Sequence, residues 1–139
     1  MKLRLFGGLA AACLMLSTPA MAQTYTGPIA QATADPVPVN ISTSTTTELV
    51  AASGTKTVIV TGGLIYAGGT VNLTFKAGTG SSCGTGTRSL SGPIPLKDQG
   101  GFTVGSGLGV QLKTQPGEAL CATTDAAVAV GGWLMVAPR

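Results

Sequence analysis

The chain of 139 residues contains no histidine. That removes histidine-based general acid and base catalysis, Ser-His-Asp triads and histidine metal sites together. Charged residues make up 9% of the chain, against about a quarter in ordinary soluble domains. Aromatic residues are few. Beyond residue 22 they are Tyr25, Tyr66, Phe75, Phe102 and Trp133. Beyond that residue no stretch places apolar side chains at helical spacing between caps, so helical classes are excluded.

What is present begins with a leader. Lys2 and Arg4 precede an apolar run over residues 5–16, then Ser17-Thr18-Pro19 and Ala20-Met21-Ala22 before Gln23. A charged start, a short apolar stretch and a small-residue cleavage site form the pattern of a secretory signal peptide. The run is too short to span a bilayer, which takes roughly 20 residues, and no transmembrane segment is expected in the mature chain. Residues 1–22 are therefore expected to be removed, which leaves 117 of 139 residues, enough for one domain. The expected location is the periplasm, or the outside or cell surface, of a Gram-negative-type bacterium. Loss of Lys2 and Arg4 leaves six basic residues against five acids, so the net charge falls from +3 to +1. The six are scattered, whereas nucleic-acid binding requires a clustered basic face. No nucleic-acid partner is expected.

Cys13 lies inside the leader, and the residues before it fit a lipoprotein acylation site poorly. Cys83 and Cys121 remain, in an oxidising compartment. Their wide separation fits a structural disulfide better than a redox pair, which normally shows C-x-x-C spacing.

Residues 23–45 are rich in Thr, Ala, Pro and Ser, with Pro28, Pro36 and Pro38. Proline fixes φ and lacks an N–H, so an extended Pro/Thr-rich arm is expected there. Residues 46–139 read as one β domain. Candidate strands cover residues 48–52 and 57–61, then resume at Leu64 after Gly62-Gly63, where a bulge is expected. The clearest strand spans residues 70–76, where Val71, Leu73 and Phe75 alternate with polar residues. Leu108, Val110 and Leu112 alternate in the same way. Further strands are expected over residues 119–123 and 127–137. In the last, Val128, Val130, Leu134 and Val136 share one face and Trp133 and Met135 the other, so both faces are expected to be covered. Gly-rich loops are expected at residues 77–87, 99–101 and 105–109. Short, evenly spaced strands with glycine turns indicate an all-β sandwich or barrel of antiparallel strands.

The loop around Cys83 invites comparison with a phosphate-binding loop. It lacks the required lysine, and no helix follows. The acids Asp35, Glu48, Asp98, Glu118 and Asp125 are dispersed, which suits neither a glycosidase pair nor a calcium site. No catalytic residues, cofactor or metal are expected. Asn72-Leu73-Thr74 matches a glycosylation acceptor, but with so bacterial a leader it is read as ordinary strand sequence.

From Glu48 onward the residues carry a resemblance. Glu48-Leu49-Val50-Ala51-Ala52 and Val58-Ile59-Val60 open it, followed by Val71-Asn72-Leu73-Thr74-Phe75-Lys76 and Leu90-Ser91-Gly92-Pro93-Ile94-Pro95-Leu96. It closes with Pro116-Gly117-Glu118-Ala119-Leu120 and Ala127-Val128-Ala129-Val130-Gly131-Gly132. This order resembles small β-sandwich proteins encoded among the virion genes of tailed phages. The resemblance implies a jelly-roll-like sandwich that works by assembly or surface contact, with no catalytic set. The leader and the Cys83/Cys121 pair depart from that pattern. Both fit export, so an exported relative is expected in place of a capsid part.

Two functions follow as expectations. The first is a secreted structural or assembly module, oligomeric because its surface is so poor in charge, with a closed ring such as a trimer as the expected form. In it the N-terminal arm crosses to a neighbour. The alternative is a cell-surface module that binds a glycan or another ligand. Tyr66 and Phe102 are its candidate contacts, and Trp133, in the most apolar strand, is expected in the core.

Overall fold

The computed structural model describes residues 34–106 and 109–138. The expected signal peptide, and the expected arm as far as residue 33, lie outside them.

Among the described residues ten strands form two antiparallel sheets. The first sheet contains β1 (Asp35–Ile41), β10 (Val130–Pro138), β3 (Val58–Ala67) and β7 (Gly101–Ser106) in that order, with β8 (Leu112–Lys113) also on β3. The second contains β2 (Thr46–Val50), β9 (Ala119–Thr124), β4 (Val71–Thr79) and β5 (Thr85–Ser89), with β6 (Ile94–Leu96) also on β4. Both sheets contribute to one core. Ile41, Ile65, Val130 and Leu134 from the first meet Leu73, Phe75, Leu120 and Ala122 from the second. The chain is an all-β protein of sandwich type.

The alternation that marked β4 sets its orientation. Val71, Leu73, Phe75 and Ala77 are buried, while Asn72 and the residues of its parity turn outward. Each fully buried large side chain contributes about 1.5–3 kcal/mol of transfer free energy. The bulge expected at Gly62-Gly63 is present in β3. Gly62 pairs with Met135 and Val60 with the next residue, Val136, so Thr61 has no partner. One extra residue there restores Val58 and Val60 to the core side.

Several expectations are corrected. Asp35–Ile41 is not arm but a strand of the first sheet, paired over its full length with β10. Val39 and Ile41 belong to the core. Pro36 and Pro38 disguised this strand. They stand two residues apart, and proline is accepted in an edge strand where its nitrogen faces away from the partner. The glycine-rich segment 77–87 is largely strand: β4 runs to Thr79 and β5 begins at Thr85. A single 3-10 turn, Ser81–Cys83, remains between them. Among the described residues near 108–113, only Leu112 and Lys113 form strand, and Val110 is 56% exposed.

That 3-10 turn covers the outer side of the second sheet. Cys83 is disulfide-bonded to Cys121 on β9, and with Ala119 they form a small second core. Gly78 permits the approach. A Cβ there would meet the Cys83 carbonyl oxygen at 2.9 Å and the Thr85 carbonyl oxygen at 3.0 Å.

Candidate binding face

Around Leu64, Tyr66 and Trp133 the first sheet has no such cover among the described residues. Its outward positions follow from the pleat: residues that share parity with the buried Ile65 and Leu134 face the core, and the others face away. Leu64, Tyr66 and Trp133 therefore project outward and are 43%, 56% and 42% exposed. The register places Pro38, Trp133, Leu64 and Thr103 in one row across four strands. The neighbouring row runs Asn40, Gly131, Tyr66 and Gly101. On the other side, Pro36, Met135 and Gly62 form a third. None of these side chains is charged.

The face has relief. A Cβ on Gly131 would meet the Tyr66 hydroxyl at 2.7 Å and its ring at 2.8 Å, so the ring lies across the bare backbone of β10. Aromatic cover over a strand glycine restores the packing that the glycine lacks. On the other side of the Trp133–Leu64 row is a hollow of about 490 Å³, floored by Gly62, Gly63 and Gly105 and bordered by Trp133, Met135 and Thr103.

The expected aromatic contacts separate here. Tyr66 lies on the open face. Phe102 does not join it: it pairs with Ile65, shares that residue's inward parity and packs half-buried against the core. Trp133, expected in the core, stands exposed opposite Leu64. Neighbours of Trp133 in sequence are apolar because β10 is a central strand. Its own parity places it outside the core, on the exposed part of that face. Leu64 was not singled out from sequence. Its alternation with Ile65 in the segment Leu64-Ile65-Tyr66 was the available sign.

Arg88, Glu118 and Asp125 serve the frame. Arg88, on β5, donates from Nη2 to Glu118 Oε2 at 2.7 Å and from Nε to Oε1 at 3.2 Å. It also reaches the Lys113 carbonyl at 3.5 Å, which links the second sheet to the first. Glu118 accepts the Gln115 N–H at 2.7 Å as well, closing the turn Gln115-Pro116-Gly117-Glu118. Gly117, at φ +79°, occupies the position where a type II turn requires positive φ. Hydrogen bonds from Arg88 hold the Glu118 carboxyl below its ordinary pKa against an opposing burial effect, with help from the Gln115 N–H. Asp125 is also lowered, first by the Asn72 backbone N–H and then by its side-chain amide. Those bonds are 2.8 and 2.6 Å long.

A second hollow of about 270 Å³ opens between the sheets, lined by Val37, Val50, Val58 and Val136 with Asp35 and Lys56. Among the described residues no three His, Cys, Asp or Glu side chains gather as a metal site would require. Nor is any helix among them long and apolar enough to cross a membrane.

No family model and no curated protein matches the chain. Among solved structures, a chain of the T13 IBDV viral particle is similar, with a TM-score of 0.42 and 15% identity. The match covers 75% of this chain and 29% of that one. The present chain therefore spans less than a third of the length of its structural neighbour.

Proposed function

We propose that the chain is an exported, non-catalytic structural module that acts by surface contact in the periplasm or at the cell surface. The observation that carries this reading is the uncovered, uncharged face of the first sheet, with Leu64, Tyr66 and Trp133 exposed side by side. A patch of that kind on a small domain marks a contact surface. The absence of histidine, and the use of Glu118 and Asp125 as structural acceptors, favour a non-catalytic role. The Cys83–Cys121 bond favours an oxidising compartment. Strand order supports a jelly-roll-like sandwich: each sheet takes its first strand from the start of the domain and places beside it one from the end. The resemblance to small phage virion proteins points the same way.

Light scattering on disulfide-bonded residues 23–139 tests the reading. A defined oligomer is the expected result. A clean monomer across the micromolar range would remove the assembly role.

A second reading, a glycan-binding face, draws on the exposed Tyr66 ring over Gly131 and the nearby Trp133. It requires that Tyr66→Ala abolish binding to a glycan array while the chain still melts cooperatively. Array binding that survives this substitution would count against it.

A further inference from the structure

We propose that two copies of this chain pack face to face through the outer surface of the first sheet, with the Trp133–Leu64 row of each seated in the glycine-floored hollow of the other. The proposal rests on the assembly reading above and names its surface and its partner.

The other surfaces are less available. The second sheet is covered where the Cys83 turn crosses it. The free edge of β1 carries Pro36 and Pro38 at positions of one parity. Without N–H groups there, the edge cannot accept a full ladder from another strand. Association by strand addition at β1 is therefore disfavoured.

The outer face of the first sheet complements itself. The projecting row of Trp133 and Leu64 runs beside the hollow over Gly62, Gly63 and Gly105. A two-fold axis lying in the plane between the two sheets, parallel to the row and midway between row and hollow, brings ridge onto hollow twice, as an isologous interface requires. Sheets pack this way at about 10 Å, with inner side chains interdigitated. Nothing charged would be buried, so no ion must lose its water without a partner.

The size is that of a weak, concentration-dependent dimer. Four strands at about 4.8 Å spacing and the roughly five residues of each that the three rows span, at about 3.3 Å each, cover roughly 320 Å² in projection. Side-chain relief raises the accessible area of that patch toward the roughly 600–800 Å² per partner of a small specific interface.

The chain has a single tryptophan, Trp133, and it lies in the proposed interface. Sedimentation velocity and Trp133 emission would be measured on the same dilution series of disulfide-bonded residues 23–139. The expected result is a dimer whose formation shifts emission to shorter wavelength and lowers quenching by acrylamide. Leu64→Glu keeps the reporter and places like charges across the two-fold contact; it should weaken the dimer about tenfold or more. Thr103→Lys, on the same row, is the second variant in case the first fails to fold, and it should weaken the dimer in the same direction.

A dimer that persists in these variants with Trp133 quenched as in the monomer would overturn the proposal. The assembly reading would survive, with its contact elsewhere. A monomer throughout would remove both. A monomer whose Trp133 emission shifts only on adding soluble oligosaccharide would assign the face to glycans and overturn the dimer.

Discussion

Glu118 and Gly132 show how single residues hold this fold. Glu118 is nearly buried, and its partner Arg88 is partly exposed. Glu118→Gln is therefore expected to cost about 1–2 kcal/mol, below the figure for a fully buried pair. Its folded pKa lies below the ordinary value of about 4.3. The stabilisation is thus complete above that pH and is lost as pH falls through the depressed folded value. Asp125 acts in the same direction. With no histidine in the chain, no side chain with an ordinary pKa between 5 and 8 adds a transition there. Melting temperature against pH should be nearly flat from pH 5 to 8 and fall below about pH 4. Glu118→Gln should flatten part of that fall; an unchanged acid limb would refute the assignment. Gly132 has φ +137°, and a Cβ there would collide with the Leu64 carbonyl oxygen. Gly132→Ala should lose about 2–4 kcal/mol in urea unfolding. Gly54→Ala is the control: its φ is +54° but its surroundings are open, so only the backbone cost of about 1 kcal/mol is expected.

At the level of elements, the sequence was readable where pattern and burial agree. The alternation of β4 and the glycine pair of β3 identified a strand and a bulge without help from the rest of the chain. β1 was not readable, because Pro36 and Pro38 look like irregular chain until an edge position is known to await them. Phe102 and Tyr66 could not be assigned to opposite faces, since the pairing of Ile65 with Phe102 depends on the register of β7 on β3. Two predictions belong here. A chain that starts at residue 42 loses β1, with Val39 and Ile41, and leaves β10 as an open edge. It should fail to give the cooperative melt in circular dichroism that a chain starting at residue 34 gives. Cys83→Ala/Cys121→Ala opens a loop of sequence separation 38 and should lower stability by about 2–4 kcal/mol. An unfolding midpoint equal to that of the oxidised parent would show that the turn holds its place without the bond.

For the whole molecule, the governing fact is that both sheets are built from strands far apart in sequence. β1 pairs with β10, and β2 with β9. Closing such loops before any contact rewards them is slow. Refolding with the disulfide intact should take milliseconds to seconds by stopped-flow circular dichroism, and a microsecond phase carrying the full amplitude would contradict the topology. The pairing of the first strand with the last also sets an order of events during synthesis. A chain emerging from a ribosome or a translocation pore presents β1 about a hundred residues before its partner is made. Until the nine residues of β10 arrive, the first sheet has no central strand to join β1 to β3. The first sheet therefore stays open until β10 has emerged and can pair on both sides.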